Sequence, residues 1–242
     1  MFSFLDPFIT SIGPNTVRIS SKQGSDFAKG IANDFNPIHD HDSKRFCVPG
    51  DLLFTESIRR IGLYQSMHFK FTEMLSADVD IQYPPKVEEG RYFITNSTGK
   101  NIVSIDIAGQ PLSNQSFAAK FALDYVKFSA RSFPDILVPL MKQHSKMINP
   151  LRPLVIYQSM SFQFKEAAIA QIDLTLENSQ LEINGKRGSA LLSFNLISTG
   201  KTVGLGKKKL ILSGLRDYED SAIDQLTNEY LDKKRQYLIN QA

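Results

Sequence analysis

The chain has 242 residues, of which 42% are hydrophobic and 22% are charged, and its formal net charge at pH 7 is +3. This composition excludes a largely disordered chain, and so small a net charge gives no indication of nucleic-acid binding. A single cysteine, Cys47, excludes an internal disulfide, which leaves a cytoplasmic setting as the expectation. No apolar run approaches the roughly 20 residues that span a bilayer, so we expect no membrane span.

The first predicted helix lies in SDFAKGIANDFNPIHD, residues 25–40. Ser25 is expected to cap it, because apolar residues recur at helical intervals behind that serine: Phe27, Ile31 and Phe35. A residue before proline is pushed out of the helical region, so the helix should end by Asn36. Asp34 is therefore placed near the end of the helix, and His39 lies just beyond it.

The hexapeptide DFNPIH, residues 34–39, combines side chains that can handle a water molecule. A turn between Asp34 and His39 can fold the imidazole back beside the carboxylate, so that both groups hold the same water. The carboxylate accepts a hydrogen bond while the imidazole, whose ordinary pKa is near neutrality, passes a proton. Asn36 can orient either partner through its amide group.

A second helix is predicted to begin at PGD, residues 49–51, and to carry apolar residues at helical spacing: Leu52, Leu53, Ile58, Ile61 and Leu63. Gly50 would allow a ligand to approach the backbone closely. The free N–H groups at the start of this helix can hold a developing oxyanion. The carboxylate of Asp51 would repel that negative charge unless its side chain turns away to cap the helix.

A segment of nineteen residues occurs twice, as LYQSMHFKFTEMLSADVDI at 63–81 and as IYQSMSFQFKEAAIAQIDL at 156–174. Nine of the nineteen aligned positions are identical. Both copies alternate large apolar and polar residues over MHFKF and MSFQF, which is the period of a half-buried strand. We therefore expect a strand at each copy and a duplicated structural unit.

A helical pattern precedes each copy, and further strands follow it. The helix before the second copy is predicted around residues 136–141, with Asp135 as its N-cap. Strand-like runs follow both copies: RYFITNS, NIVSIDIAG and QSFAAKFAL after the first, and QLEING, ALLSFNLIS and KTVGLGKKKLILS after the second. A sheet with one apolar face must bury it, and a long helix can cover it.

One helix followed by several antiparallel strands, used twice, is similar to two hot-dog folds in tandem. We predict an α+β fold in which an antiparallel sheet wraps around two central helices. The two units would span residues 1–125 and 126–215, and a C-terminal helix would follow over 216–242. The apolar stripe on that helix favours packing against the sheet, with a dimer seam as the alternative: Ile223, Leu226, Tyr230 and Tyr237. The chain would be a monomer with an internal pseudo-dimer, or a homodimer.

The sequence DFNPIH resembles the D-x-N-P-x-H motif of the MaoC-like (R)-specific enoyl-thioester hydratases, which are hot-dog proteins. The preceding FAKGIAND resembles that family's F-A-x-x-S-G-D, with Asn33 where glycine is usual. In the family, the aspartate and histidine of the motif hold the water that adds to an enoyl thioester. The resemblance implies Asp34 and His39 as the acid–base pair and Asn36 as the residue that orients them. It also implies acyl-CoA or acyl-carrier-protein thioesters as substrates, and no cofactor.

The chain also departs from this family. The segment between His39 and Pro49 is short, and the turn VPGD is closer to that of the hydroxyacyl-carrier-protein dehydratases, a sister hot-dog group. That group pairs a histidine with a helix carboxylate, for which Glu56 is the nearest candidate, although it lies one residue too far from Pro49. The second unit has no matching motif, so we expect one site per chain.

Three smaller patterns have ordinary alternatives. The run HDHD at 39–42 supplies too few ligands for a tetrahedral metal site, and no metal is expected. Cys47 could be a nucleophile only with a base beside it, and a small buried side chain is the favoured interpretation. The run GKKKL at 206–210 could receive a CoA phosphate, although protection of a sheet edge is favoured.

Three functions are consistent with these patterns. The favoured one is a hydratase or dehydratase that interconverts enoyl and 3-hydroxyacyl thioesters with Asp34 and His39 as its acid–base pair. An acyl-thioesterase on the same fold would use Asp34 or Glu56 to direct water at the thioester carbonyl. A non-catalytic protein that binds acyl thioesters is suggested by Asp51 and by the short segment after His39.

Overall fold

The computed structural model describes residues 2–85, 89–112, 114–166 and 171–240. Helices within these ranges are α1 Ser21–Phe27, α2 Gly50–Ile61, α3 Gln115–Ala130, α4 Leu137–Gln143 and α5 Asp220–Ile239. Strands of the first half are β1 Thr10–Gly13, β2 Thr16–Arg18, β3 Tyr64–Phe71, β4 Asp80–Gln82, β5 Gly90–Asn96 and β6 Asn101–Pro111. Those of the second half are β7 Lys146–Met147, β8 Val155–Phe164, β9 Asp173–Asn184, β10 Arg187–Ser198, β11 Lys201–Ser213 and β12 Arg216–Asp217.

Ten of these strands form one antiparallel sheet in the order β1-β2-β4-β5-β6-β3-β8-β11-β10-β9, while β12 pairs with β7 separately. All strands of the first half lie on one side of the β3–β8 junction. The strands β8 to β11 of the second half lie on the other side. The sheet is therefore built from two consecutive parts of the chain that join along one pair of strands.

The two copies of the sequence repeat are the strands that meet at this junction. Met67 of β3 pairs with Phe162 of β8, His68 pairs with Ser161, and Phe69 pairs with Met160. His68 and Ser161 occupy the same position in the two copies, so an approximate two-fold axis passes between them. The predicted strands are confirmed, although residues 167–170 of the second copy lie outside the described residues.

Helices α2 and α3 pack against each other and share one apolar core with the sheet. The ring of Phe54 on α2 lies 4.8 Å from that of Tyr125 on α3 and 5.2 Å from that of Phe69 on β3. On α3, the ring of Phe121 lies 4.9 Å from that of Phe162 on β8. These centroid distances are those of edge-to-face aromatic pairs in a close-packed core. The predicted α+β tandem hot-dog, a sheet wrapped around two central helices, is confirmed.

The second central helix is α3, and this corrects the prediction. The run QSFAAKFAL was expected to be a strand, but it forms the first half of α3, where Asn114 Oδ1 accepts a hydrogen bond from the N–H of Phe117. The helical segment near residues 136–141 is the shorter α4, whose N-cap position is Ile136 rather than Asp135. The predicted boundary between the two units, at residue 125, stays a prediction. That position lies inside α3.

The start of α1 also differs from the prediction. Ser20 caps the helix, because its side chain accepts from the N–H of Gln23 while the Gln23 side chain accepts from the N–H of Ser20. This reciprocal pair is a capping box. Ser25, the predicted cap, is 1% exposed inside the helix. The helix continues as a wider turn over Ala28–Ala32, before the predicted limit.

The C-terminal helix α5 lies within the predicted 216–242 segment. Ile223 and Leu226 join an apolar cluster with residues of α4 and the second half of the sheet. Tyr230 and Tyr237 instead pack against the ring of Phe35, at 6.0 and 5.6 Å. Among the described residues, no helix is both long and apolar enough to cross a bilayer.

Candidate active site

The hexapeptide begins beyond a residue in the left-handed conformation. Asn33 ends the first helical segment with φ 58° and ψ 34°, and the N–H of Asp34 bonds to the carbonyl of Ala28. Residues with a side chain rarely adopt this conformation, and asparagine is the commonest exception after glycine. This explains how asparagine can stand where the resembling family has glycine.

A short turn over Pro37–His39 carries the histidine of the motif. Asn36 orients both partners, but mainly through its backbone: its N–H donates to Asp34 Oδ1 at 3.0 Å, and its carbonyl accepts from the N–H of His39 at 2.9 Å. The side-chain oxygen of Asn36 accepts from the N–H of Ile38 at 3.2 Å and so caps the turn. The proline and asparagine therefore hold Asp34 and His39 in one fixed loop.

The structure brings Asp34 and His39 together. His39 Nδ1 lies 2.7 Å from the carbonyl oxygen of Cys47, which can only accept, so Nδ1 carries the hydrogen. In the neutral ring, Nε2 then has a free lone pair. Nε2 lies 3.8 Å from Asp34 Oδ2. That separation is too long for a direct hydrogen bond but fits two groups that share one water molecule.

Asp34 and His39 line a cavity of about 150 Å³. Asn36, Gly50 and Asp51 line it too, on the side of the hexapeptide and the start of α2. The remaining wall is largely apolar, and its members come from the end of β3, α4, the second half of the sheet and α5: Phe71, Phe133, Leu137, Ile148, Val155, Leu210 and Leu226. The cavity therefore joins a polar end to an apolar pocket.

The first residues of α2 line the same cavity. Pro49 is the N-cap, and its carbonyl accepts from the N–H groups of Leu52 and Leu53 at 3.1 and 3.2 Å. Within the described part of the chain, the N–H groups of Gly50 and Asp51 have no acceptor. A Cβ at position 50 would lie 2.8 Å from Cδ1 of Tyr157, so this site requires glycine because an aromatic ring packs on it.

The sequence suggested that Asp51 would cap α2 if its side chain turned away from the site. In the structure, Asp51 does not cap the helix. Its side chain is buried, and Ser129 Oγ on α3 donates to it, lying 3.0 and 2.7 Å from its two oxygens. Burial raises the pKa of Asp51 to about 6, and the charge of Lys208 and the Ser129 hydrogen bond offset this only in part. A second carboxyl group therefore lies at the start of α2.

Lys208 is a buried member of the site that the sequence did not predict. Its Nζ donates to the carbonyl of Ser129 at 2.9 Å, to Ser129 Oγ at 2.6 Å and to Ser132 Oγ at 3.0 Å. It also lies 4.7 Å from the centre of the Tyr157 ring, and burial lowers its pKa. We call Asp51, Ser129, Ser132 and Lys208 the buried polar cluster.

The alternation of side chains along β11 could have identified Lys208 from the sequence as an inward-facing residue, but the sequence interpretation missed it. β11 lies between β8 and β10, so the proposed role of the lysine run in protecting a sheet edge is wrong. Side chains alternate between the two faces of a strand. Lys208 shares the inward face with Leu210 and Leu212, both buried, whereas Lys207 is exposed.

Helix α5 adds a wall that no sequence motif indicated. The hydroxyl of Tyr230 lies 3.4 Å from Asp34 Oδ1 and 3.5 Å from the carbonyl of Asn33. Lys233 Nζ donates to Asp40 Oδ2 at 3.0 Å, one turn further along the helix. Both residues line the cavity, so α5 closes it on the side of the hexapeptide.

Of two other candidate residues, Glu56 lies outside the cavity and Cys47 has an unreactive thiol. Glu56 is fully buried outside the cavity, where Arg59 Nε and Arg60 Nε pair with its oxygens at 2.5 and 2.6 Å. Burial raises the pKa of the Cys47 thiol to about 11, which makes it a poor nucleophile. Its carbonyl, rather than its thiol, contacts His39. In the described ranges, no three side chains of the metal-ligating types cluster together.

Several solved structures are similar to this chain at low identity. The tesB protein of Mycobacterium avium subs paratuberculosis is 10% identical over 88% of this chain and 99% of that chain, with a TM-score of 0.49. A putative thioesterase II from Thermobifida fusca is 9% identical over 88% of this chain and 98% of that chain, with a TM-score of 0.46. A MaoC-like dehydratase is 10% identical over 81% and 95%, with a TM-score of 0.38.

Comparison with curated proteins gives no match. The sequence profile of one family, described as "Protein of unknown function (DUF3581)", matches residues 3–221. That range includes the hexapeptide, both central helices and the whole ten-stranded sheet, and it ends at the first turn of α5. The chain belongs to the DUF3581 family.

Proposed function

We propose that the protein interconverts enoyl and 3-hydroxyacyl thioesters of CoA or of acyl-carrier protein by adding or removing water. The observation that carries this proposal is the 3.8 Å separation between Asp34 Oδ2 and His39 Nε2 at the wall of a largely apolar cavity. The resemblance of the hexapeptide to the MaoC-like hydratase motif supports the same reaction. The motif occurs once in the sequence, so one site per chain is proposed.

The substrate would enter with its acyl chain along the apolar wall and its thioester carbonyl at the start of α2. The free N–H groups of Gly50 and Asp51 are the groups that can donate to the carbonyl oxygen there. These donors are fixed before the reaction, and the helix dipole adds positive potential. Negative charge that develops on the oxygen during addition of water would be stabilised at this position.

The water would be held between Asp34 and His39. Since Nδ1 of His39 is fixed by the Cys47 carbonyl, Nε2 can accept a proton from this water as its oxygen attacks C3 of the enoyl group. Asp34 is in turn fixed by the N–H of Asn36 and by the Tyr230 hydroxyl. Dehydration of the 3-hydroxyacyl thioester would follow the same path in reverse.

Hydration of enoyl thioesters by purified protein tests this proposal. Crotonyl-CoA and enoyl-CoA substrates with longer chains should lose their enoyl absorbance, and Asp34→Asn or His39→Ala should each abolish the loss. The neighbouring Asp42→Asn and His41→Ala are matched controls, because both side chains are exposed in the same segment and lie outside the cavity. Absence of hydration at every chain length would contradict the proposal.

The same assay separates the two alternatives that the sequence left open. Release of free thiol without loss of the enoyl absorbance would indicate an acyl-thioesterase. Stabilisation of the protein by an acyl-CoA, without turnover of either kind, would indicate a binding protein.

A further inference from the structure

The buried polar cluster of Asp51, Ser129, Ser132 and Lys208 has no role in the steps above. It lies where the start of α2, the end of α3 and strand β11 meet, and all four side chains line the cavity. The charges of Asp51 and Lys208, which meet through Ser129 and not in a direct ion pair, are weak as a source of stability because their desolvation cost offsets their attraction. Stability therefore does not account for the cluster.

The carboxylate of Asp51 has unfilled acceptor capacity. Ser129 Oγ reaches both of its oxygens, but a hydroxyl has a single hydrogen, whereas a carboxylate offers about four acceptor positions. Lys208 Nζ donates its three hydrogens to the carbonyl and hydroxyl of Ser129 and to the hydroxyl of Ser132. Asp51 is 9% exposed, so water does not fill these positions freely. The group needs a proton or a ligand on its cavity side.

The charges around Asp51 lead to the same conclusion as its hydrogen bonds. Burial and the nearby Asp34 carboxylate raise the pKa of Asp51 to about 6, while the charges of Lys208 and His39 oppose that rise. A carboxyl group of this kind carries a proton over part of the near-neutral range, which is the range in which general acids work best. Asp51 also lines the same cavity as Asp34 and His39, the pair that would hold the water.

We infer that Asp51 is a third acid–base group of this site, and that it exchanges its proton with the substrate carbon beside the thioester carbonyl. This inference rests on the proposed function. If the carbonyl oxygen binds at the N–H groups of Gly50 and Asp51, the neighbouring carbon lies beside the same first turn of α2. Asp34 and His39 then act at C3 of the substrate, and Asp51 acts at C2.

The step balances without any further reactant. In hydration, the oxygen of water forms a bond to C3 while the water proton moves to His39 Nε2. The electron pair of the C2–C3 double bond moves toward C2 and the carbonyl oxygen, and the carboxyl proton of Asp51 forms the new C–H bond at C2. The His39 imidazolium then gives up its proton and the Asp51 carboxylate takes one up through solvent, and the substrate undergoes no net oxidation or reduction.

The first experiment is hydration of crotonyl-CoA by wild type, Asp51→Asn and Asp51→Glu. Asparagine keeps an acceptor for Ser129 but cannot deliver a proton, so kcat is expected to fall about a hundredfold with KM nearly unchanged. Glutamate should restore part of the activity. A kcat within about threefold of wild type for Asp51→Asn would overturn the inference while leaving the proposed function intact. A wild-type protein that hydrates no enoyl thioester would overturn both.

The second measurement is the pH profile of kcat for wild type and Lys208→Met, which is independent of whether Asp51→Asn folds. A general acid must be protonated, so activity should decline as pH rises through the pKa of Asp51. Removing the Lys208 charge removes an influence that lowers this pKa, and the decline should move to higher pH. A decline that stays in place in Lys208→Met would show that Asp51 is only a structural partner of the lysine.

Discussion

The hydroxyl group of Tyr230 on α5 lies 3.4 Å from Oδ1 of Asp34, although 196 positions separate the two residues in the chain. Tyr230 is 7% exposed, and its ring packs edge-on against Phe35 at 6.0 Å and Phe133 at 5.3 Å. The C-terminal helix and the N–H of Asn36 thus hold the same oxygen of the hexapeptide carboxylate.

Replacement of Tyr230 by phenylalanine should remove this contact and keep the ring packing. We expect kcat for hydration to fall several-fold, and the free energy of unfolding to fall by about 0.5–1.5 kcal/mol, because one buried hydrogen bond is lost. Steady-state kinetics and urea unfolding measure the two effects. Tyr237→Phe is the matched control, since its ring also packs on Phe35. An unchanged kcat in Tyr230→Phe would show that Asp34 is held adequately without α5.

The left-handed conformation of Asn33 predicts an order of stability among substitutions. Asn33→Gly should be neutral or slightly stabilising, whereas Asn33→Ala should lose about 1 kcal/mol of unfolding free energy, because alanine lacks the short polar side chain that lets asparagine tolerate φ 58°. Urea unfolding of both variants checks the order. Asn178→Ala, at an exposed position of β9, should change little and serves as control. Equal stability of the glycine and alanine variants would contradict the assignment.

Gly50 should not tolerate a methyl group. In Gly50→Ala, the new Cβ would meet the ring of Tyr157, whose hydroxyl is hydrogen-bonded to that of Tyr125, so the ring cannot move freely. We expect a loss of about 1–3 kcal/mol in unfolding free energy from overpacking, together with reduced hydration activity. Gly13→Ala is the control, because its nearest neighbour would be an ordinary contact at 3.9 Å. Full activity in Gly50→Ala would contradict the placement of the carbonyl at this turn.

The raised pKa of Asp51 makes stability depend on pH in a defined direction. Its pKa is about 6 in the folded protein and 3.8 in the unfolded chain, so folding favours the protonated form. The contribution of Asp51 to stability is therefore full below about pH 4 and is lost as pH rises to about 6. Relative to wild type, Asp51→Asn should gain on the order of 3 kcal/mol between these limits.

Urea unfolding at pH 4.5 and pH 7.5 measures this difference. The exposed Asp42→Asn should show the same stability difference from wild type at both pH values, and it controls for general charge effects. If Asp51→Asn differs from wild type equally at both pH values, the Asp51 carboxyl does not titrate in the raised range.

Cys47 should be unreactive in the folded protein. Burial raises the pKa of its thiol to about 11, so very little thiolate exists at pH 8, and access to the sulfur is restricted. Labelling with a thiol-specific disulfide reagent should be slow in native buffer and rapid in urea. Equally fast labelling in both conditions would show that the segment carrying the His39 contact opens readily.

The sequence predicted those parts of the site whose residues are close together in the chain. Asp34 and His39 lie in one hexapeptide, where proline and asparagine define the turn, so local rules were sufficient. The strands β3 and β8 followed from the alternating pattern of the repeat, whereas their pairing with each other was not predicted. The helix α3 was mistaken for a strand because the phenylalanines of QSFAAKFAL fit a period of two and also a helical period.

The buried polar cluster could not be found by local rules. Ser129 lies 78 positions from Asp51 and 79 positions from Lys208, and only the packing of α2, α3 and β11 brings them together. The role of Tyr230 depends equally on how α5 docks beside the hexapeptide. Side chains that meet only through tertiary packing leave no spacing pattern in the sequence.

The most direct test of the proposed reaction follows enoyl absorbance and free thiol together while wild-type protein acts on crotonyl-CoA and longer enoyl-CoA substrates. We predict that the absorbance falls without release of thiol, and that Asp34→Asn and His39→Ala, measured beside Asp42→Asn and His41→Ala, remove this activity alone. Release of thiol with the double bond intact, or full hydration by the Asp34 and His39 variants, would contradict the assignment of this pair to water addition.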